Sequence, residues 1–211
     1  MSQKISTILF DADGVLQYPG VDYKLAFSKL LGPRINEAEQ FFADIFLAEQ
    51  ESLAGHGDFR LALTALLDRW NLLLDADQLL NISTQIKSST PMISIIRTLR
   101  FSGYKCCLAS NQQAHRAQFM SETLGYAKLF DREFYSCDVG FVKPDLRYFQ
   151  SVVYDLDDHP DSILFIDDQE SCVDAARSAG LNGVLFSSAV DTCDQALKKI
   201  LFEYGISIHA D

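Results

Sequence analysis

Residues 8–16 read ILFDADGVL, an apolar run that leads into two aspartates, Asp11 and Asp13, and then into a glycine. A buried strand that ends in two like charges is costly unless a cation lies close to both. The stretch therefore predicts a strand end at which paired acids meet a cation. The groups that complete such a site must come from elsewhere in the chain.

Other short apolar runs alternate with amphipathic stretches. Strands are predicted at ISTILF (5–10), YKCCLAS (104–110), EFYSC (133–137), SILFI (162–166) and GVLF (183–186). Helices are predicted over 90–101, 113–124, 144–156, 170–179 and 192–204. Continuously apolar strands separated by helices are typical of a parallel sheet covered on both faces. We therefore expect an α/β domain with right-handed crossovers.

One long segment breaks this alternation. From about residue 17 to residue 87 no strand is predicted, and helical periodicity is strong over 37–53 and 59–73, on either side of a turn at AGHGD (54–58). We expect an α/β core domain of residues 1–16 and 88–211 and an all-α helical cap domain of residues 17–87. Ligands bind at the carboxyl ends of the strands in open α/β sheets. An insert directly after the first strand would therefore lie over the binding site.

Polar residues follow three of the predicted strands. They are Asp11 and Asp13, Ser110 and Asn111, and Asp167 and Asp168. Because neighbouring parallel strands end at one edge, these side chains should converge there. Four carboxylates in one cleft need a hard divalent cation, and Mg²⁺ with oxygen ligands fits. Lys143, in GFVKPD (140–145), would add a second positive charge, and metal, lysine and hydroxyl together would bind a phosphate group.

The composition narrows the range of partners. The 211 residues carry a formal net charge of −11, and no cluster of basic residues is present, which argues against binding to nucleic acid or to anionic membranes. The N-terminal apolar run is too short for a signal sequence. The five cysteines show no CxxC spacing, so we expect buried thiols in a reducing cytoplasm rather than disulfides or a zinc site.

The segments DADGVL (11–16), ASN (109–111), GFVKPD (140–145) and FIDD (165–168) resemble, in order and spacing, the four motifs of the haloacid dehalogenase superfamily of phosphatases. Each motif is weak alone, whereas the combination is specific. The resemblance extends over nearly the whole chain and implies a Rossmann-like three-layer core with a parallel sheet. The helical segment is similar to the α-helical cap of the subgroup that includes phosphoglycolate phosphatase and β-phosphoglucomutase.

The resemblance also implies catalytic roles. Asp11 would be the nucleophile that forms an aspartyl-phosphate, and Asp13 would protonate the leaving alcohol and then activate water. Side chains two residues apart in an extended segment point the same way, so both carboxylates can face one phosphorus atom. Ser110 and Lys143, with Asn111 beside them, would hold the phosphoryl group.

In the metal site that the resemblance implies, Mg²⁺ would lie between Asp11, the backbone carbonyl of Asp13 and Asp168, with Asp167 coordinating directly or through water. The family often places another Asp or Asn four residues after the second of the paired acids, where this chain has Cys172. We therefore expect fewer oxygen partners and weaker binding of the metal.

The leading hypothesis is a magnesium-dependent phosphatase for a small phosphomonoester, with a sugar phosphate as the first guess, acting as a monomer or homodimer. A haloacid dehalogenase would not need Asp13. A phosphosugar mutase of this family carries a His-Arg pair early in its cap, which 18–27 lacks. A non-catalytic protein that binds a phosphorylated metabolite is the remaining alternative, and Cys172 is the feature that favours it.

Overall fold

The structure is a computed structural model that describes residues 4–188 and 193–206. Its centre is a parallel sheet of five strands in the order β5-β4-β1-β6-β7. The strands are β1 (Thr7–Phe10), β4 (Lys105–Ser110), β5 (Arg132–Tyr135), β6 (Ile163–Asp167) and β7 (Asn182–Leu185). Each predicted strand is present within two residues of its expected bounds. The parallel α/β prediction is confirmed.

Helices cover both faces of this sheet. They are α5 (Thr90–Phe101), α6 (Ala114–Gln118), α7 (Tyr126–Leu129), α8 (Ser136–Val139), α9 (Leu146–Leu156), α10 (Glu170–Ser178) and α11 (Cys193–Glu203). The helix predicted over 113–124 is divided, because α6 continues into a π-helical turn over Phe119–Thr123. Residue 192, the predicted start of the last helix, lies outside the described residues.

Alternate residues of the strands supply two separate hydrophobic cores. Ile8, Phe10 and Leu108 belong to one core, and Leu9 and Phe165 belong to the other. The three central strands β1, β4 and β6 are thus buried from both sides, which explains why their sequences are almost entirely apolar. The result is the expected Rossmann-like arrangement of three layers.

The segment between β1 and α5 contains a further two-stranded antiparallel sheet. Its strands are β2 (Gln17–Pro19) and β3 (Ile86–Ser88), and Gln17 pairs with Ser88. The expectation that residues 17–87 contain no strand is therefore wrong. Strands of three residues are too short to show an alternating pattern, and their pairing joins positions about seventy residues apart, which local sequence does not reveal.

Four helices lie between β2 and β3, and we refer to them as the helical insert. They are α1 (Tyr23–Leu30), α2 (Ala38–Leu53), α3 (Phe59–Arg69) and α4 (Ala76–Ser83), with a 3₁₀ helix over Gly32–Glu37. They enclose a hydrophobic core of their own, in which Phe41 packs edge-on against Trp70. The predicted helices over 37–53 and 59–73 correspond to α2 and α3. The second ends early, and Asn71 just beyond it has a φ of +49°.

All five cysteines are free thiols, and four of them are buried. The burial of these four agrees with the expectation of buried thiols, whereas Cys137 is half-buried. Among the described residues, no helix combines the length and the hydrophobicity needed to cross a membrane.

Candidate active site

Three strand ends meet at the carboxyl edge of the parallel sheet. Phe10 at the end of β1 pairs with Leu108 on one side and with Ile166 on the other. The next backbone N–H, that of Asp11, donates a hydrogen bond of 2.8 Å to the carbonyl of Ile166. This register places Asp11 beside the ends of β4 and β6, as the sequence predicts.

Lys143 reaches this edge from the loop that precedes α9. Its ammonium is buried and donates to Asp11 Oδ1 at 2.7 Å and to Asp167 Oδ2 at 2.6 Å. Contact with the two carboxylates compensates the buried positive charge of the ammonium, and the three groups form a buried ionic cluster. The lysine therefore lies between two of the predicted metal-binding acids.

Asn111 holds the loop that carries Lys143. Its side-chain amide donates to the Lys143 carbonyl at 2.8 Å, and its side-chain oxygen accepts from the Lys143 N–H at 2.9 Å. Both ends of the amide are thus engaged with backbone. The side chain positions Lys143, and its predicted contact with phosphate stays a prediction.

Burial controls the electrostatics of this cluster. Burial raises the pKa of Asp11 to about 7, although the adjacent Lys143 ammonium acts in the opposite direction and the nearby Asp167 adds to the rise. Burial would lower the pKa of Lys143, yet the two carboxylates raise it above its usual range. The lysine therefore stays charged at every physiological pH.

Asp11, Asp167 and Asp168 form the group of carboxylates best placed for a metal ion, because one oxygen of each lies within 4.8 Å of the others. Oδ1 of Asp168 is buried and has no hydrogen-bond partner among the described residues. An unpaired buried carboxylate oxygen is costly, and a hard cation would satisfy it. The donor set therefore fits Mg²⁺.

Gly14 makes room for one of these carboxylates. Its φ is +81°, and a Cβ atom at this position would overlap the carboxylate of Asp168. The glycine after the paired aspartates thus serves a close approach as well as the turn.

The carboxylate of Asp13 lies outside this group and is held by other side chains. Arg116 donates to its two oxygens, at 2.7 Å each. Gln112 Nε2 donates to Asp13 at 2.8 Å and to Ser110 Oγ at 3.0 Å, and Gln17 Nε2 donates to Asp13 at 3.1 Å. Any contribution of Asp13 to the metal would come from its backbone carbonyl, as the resemblance implies.

These contacts keep Asp13 ionised. Burial alone would raise the pKa of Asp13, but the charge and hydrogen bonds of Arg116 hold it below its usual value. Arg116, Gln112 and Gln17 were not predicted to belong to the site. Gln112 and Arg116 are four residues apart around the start of α6, and Arg116 Nη1 donates to Gln112 Oε1 at 2.7 Å. That spacing directly after the ASN motif is the one available signal.

Cys172 is a buried residue in the first turn of α10 and belongs to one of the two cores of the sheet. Burial and the nearby Asp167 raise the pKa of its thiol to about 11. The thiol is therefore protonated and offers no charged ligand. The expectation of weaker metal binding stays a prediction.

A family profile described as haloacid dehalogenase-like hydrolase matches residues 5–180. The chain belongs to the haloacid dehalogenase-like hydrolases. This membership agrees with the resemblance of the four sequence motifs to those of the family.

Two relatives of this haloacid dehalogenase-like hydrolase share part of its sequence. The bifunctional epoxide hydrolase 2 of Sus scrofa is 29% identical over 121 residues, which cover 54% of this chain and 21% of the relative. A sesquiterpene phosphatase of Aspergillus oryzae is 28% identical over 108 residues, which cover 51% of this chain and 55% of the relative. The matches thus span about a fifth and about half of these relatives.

The fold is also found in solved structures of the family. A haloacid dehalogenase family enzyme of Bacteroides thetaiotaomicron, in complex with magnesium and inorganic phosphate, superimposes with a TM-score of 0.73 and 22% identity. The superposition covers 89% of this chain and 96% of that one. At this identity the likeness shows the shared fold.

Proposed function

We propose that this haloacid dehalogenase-like hydrolase is a magnesium-dependent phosphatase that cleaves a small phosphomonoester through a phosphorylated Asp11. The observation that carries the proposal is the cluster of Asp11, Asp167 and Asp168 with the Lys143 ammonium, in which a buried oxygen of Asp168 has no hydrogen-bond partner among the described residues. Such a cluster suits a metal and a phosphoryl group together.

In this proposal Asp11 is the nucleophile, and Asp13 is the general acid and then the general base. A carboxylate oxygen of Asp11 attacks phosphorus, and the bond from phosphorus to the alcohol oxygen breaks while Asp13 gives that oxygen a proton. In the second step Asp13 takes a proton from water, the water oxygen attacks phosphorus, and Asp11 is released with inorganic phosphate. A bound Mg²⁺ held by Asp11, Asp168 and Asp167 would supply positive charge that offsets repulsion between Asp11 and the phosphate.

Lys143 and Ser110 complete the phosphate site in this proposal. The Lys143 ammonium already lies 2.7 Å from Asp11 Oδ1, so it can stabilise the negative charge that develops on the phosphoryl oxygens. Ser110 is buried at the end of β4 and its hydroxyl can donate to the same oxygens. Asn111 keeps the loop of Lys143 in place for this contact.

Asp13 must be protonated before it can act as the acid. In the structure both of its oxygens accept hydrogen bonds from Arg116. At least one of these bonds has to open when the substrate enters. Arg116 is therefore a positioning residue that keeps the acid ionised until then.

We also propose that residues 17–87 act as a cap over this site and select the alcohol. The subgroup resemblance favoured sugar phosphates. The name of the sesquiterpene phosphatase of Aspergillus oryzae supports instead an apolar alcohol, as does the lining of the insert. A cytoplasmic location, and a monomeric or homodimeric state, complete the proposal.

The test is hydrolysis of acetyl phosphate and p-nitrophenyl phosphate with Mg²⁺ and with EDTA. We expect turnover that needs Mg²⁺ and that falls by about a thousandfold or more in Asp11→Asn, because the nucleophile is lost. Asp174→Asn, a change of an exposed acid on α10, is the control and should keep full activity. Turnover retained in Asp11→Asn would exclude the mechanism, and no turnover of either compound would overturn the proposed function.

A further inference from the structure

The helical insert and Arg116 line a partly open cavity of about 120 Å³ beside the catalytic edge. Four phenylalanines and three aliphatic side chains provide most of its wall, among them Phe42, Phe46 and Leu63. The polar residues in the wall are Tyr23, Glu49, Ser83 and Arg116. The cavity therefore offers mainly hydrocarbon surface to an occupant.

Most of these polar groups already bond to each other or to backbone. The Tyr23 hydroxyl and Arg116 Nε both donate to the Ser83 carbonyl, at 3.2 Å and 3.0 Å. The Ser83 hydroxyl donates to the Leu80 carbonyl at 2.7 Å. A sugar carries a hydroxyl on nearly every carbon, and each would lose its water without gaining a full set of partners here. The wall thus disfavours a polyol.

Arg116 connects the cavity to the chemistry. One face of its side chain lines the cavity, and its guanidinium donates to both oxygens of Asp13. In the proposed function Asp13 protonates the oxygen of the leaving alcohol. A molecule that fills the cavity would therefore lie on the leaving-group side of the reaction, with its inner end next to the acid.

We propose that this cavity binds the hydrocarbon end of the leaving alcohol next to the acid, with room for about six carbons, so that the substrates are phosphomonoesters of apolar alcohols. The inference rests on the proposed function and names its substrate class. The size follows from the volume, because an apolar cavity of about 150 Å³ holds one benzene molecule. An aromatic ring or a short branched chain fits this space.

Binding of non-hydrolysable phosphonates tests the cavity without turnover. Calorimetry on the Mg²⁺-loaded protein compares benzylphosphonate with methylphosphonate, which has the same head group and almost no body. We expect benzylphosphonate to bind at least tenfold more tightly, because the ring leaves water for an apolar wall. In the matching kinetic assay, kcat/KM for benzyl phosphate should exceed that for glucose 6-phosphate at least tenfold.

Two neighbouring residues of α2 provide a matched pair of variants. Phe46 lines the cavity and is 51% exposed, whereas Leu47 is 72% exposed and is not part of the wall. Both can be replaced without emptying a core. Phe46→Asn should weaken benzylphosphonate binding threefold or more and leave methylphosphonate binding unchanged. Leu47→Asn should leave both unchanged.

The outcomes separate this inference from the proposed function. If benzylphosphonate binds within threefold of methylphosphonate while acetyl phosphate is hydrolysed, the cavity assignment is overturned and the phosphatase stands. The same holds if glucose 6-phosphate is the better substrate. If the tenfold gain in binding and its loss in Phe46→Asn are found without any hydrolysis, the assignment of the cavity to an apolar ligand is supported and the phosphatase is overturned.

Discussion

At the scale of single residues, Gly14 shows how closely the backbone approaches the metal site. The residue has a φ of +81°, and any Cβ would overlap the carboxylate of Asp168. Gly14→Ala should therefore lower kcat/KM for Mg²⁺-dependent hydrolysis by about a hundredfold. Substitutions of groups that orient metal ligands have effects of this size. The measurement is kcat/KM for acetyl phosphate over a series of Mg²⁺ concentrations.

Gly103→Ala is the matched control for that change. Gly103 has a φ of +88°, and no atom of the described residues beyond its chain neighbours lies within 4 Å of the position of its Cβ. Both variants incur the cost of a positive φ, which is about 1 kcal/mol of stability. Only Gly14→Ala should lose activity, and equal activity in the two would show that the close approach to Asp168 is unimportant.

Lys143 allows a prediction about stability. Lys143→Met would leave the buried carboxylates of Asp11 and Asp167 without their shared cation. We expect the free energy of unfolding at pH 7 without metal to fall by about 3 to 5 kcal/mol, the usual cost of breaking a buried ion pair. Urea denaturation measures this, and added Mg²⁺ should restore part of the loss.

Lys105→Met is the control for Lys143→Met. Lys105 pairs with Asp158 at 3.0 Å in a half-exposed position. Exposed pairs contribute about 1 kcal/mol or less. A similar decrease in the free energy of unfolding in both variants would contradict the larger contribution expected from the Lys143 cluster.

The residues of the site were predictable to different degrees. Asp11, Ser110 and Asp167 lie at the ends of buried strands. The alternation of elements predicts a parallel sheet whose strands end at one edge, so their convergence could be inferred. Arg116 could not, because its role depends on where α6 lies relative to Asp13. That placement is set by tertiary packing. In the sequence alone, an arginine in a short amphipathic stretch cannot be distinguished from a solvent-exposed arginine.

At the scale of elements, α2 contributes a carboxyl group to the wall of the cavity. Burial raises the pKa of Glu49 to about 6, with Arg116 acting in the opposite direction. The folded state therefore holds this proton more tightly than the unfolded state. Stability must fall as pH rises from about 4.5 to about 6, and the penalty above that range is about 2 kcal/mol.

Glu49→Gln removes that penalty. The variant should be more stable than the wild type by up to about 2 kcal/mol at pH 8, and the difference should disappear near pH 4. Urea denaturation at both pH values measures it. Glu51→Gln, a change of an exposed residue on the same helix, is the control for the loss of one negative charge. A difference that is independent of pH would refute the assignment to Glu49.

The long helices of the insert were predictable from periodicity, and their bounds depend on local capping. Asp58 begins α3 by accepting from the N–H groups of Arg60 and Leu61. The pair of β2 and β3 could not be predicted, because these short strands form by pairing with each other and are far apart in the sequence. Short strands with little periodicity become visible only when the whole molecule is assembled.

At the scale of the whole molecule, Mg²⁺ should stabilise the folded chain. A metal that binds the folded state and not the unfolded state raises stability by about 2.7 kcal/mol at a hundred times its Kd. We expect the thermal midpoint to rise with Mg²⁺ concentration in the wild type, and to be independent of it in Asp168→Asn. Differential scanning calorimetry measures both.

Asp174→Asn is the control for this measurement, because Asp174 is an exposed acid that pairs with Arg177 on α10. The net charge of −11 would attract divalent cations weakly at many surface positions. A rise in midpoint that persists in Asp168→Asn but depends on total ionic strength would assign the effect to that surface attraction. A rise that persists in Asp174→Asn and is lost in Asp168→Asn would assign it to the carboxylate cluster.

The antiparallel pairing of Gln17 with Ser88 has one more consequence. The chain leaves the sheet domain and returns to it at adjacent points, so the two ends of the insert are held together whatever lies between them. A segment attached in this way can be lengthened, shortened or exchanged for another without shifting the carboxylates at the sheet edge. If the insert selects the substrate as proposed, the choice of substrate can change over evolutionary time without a change in the chemistry at the sheet edge.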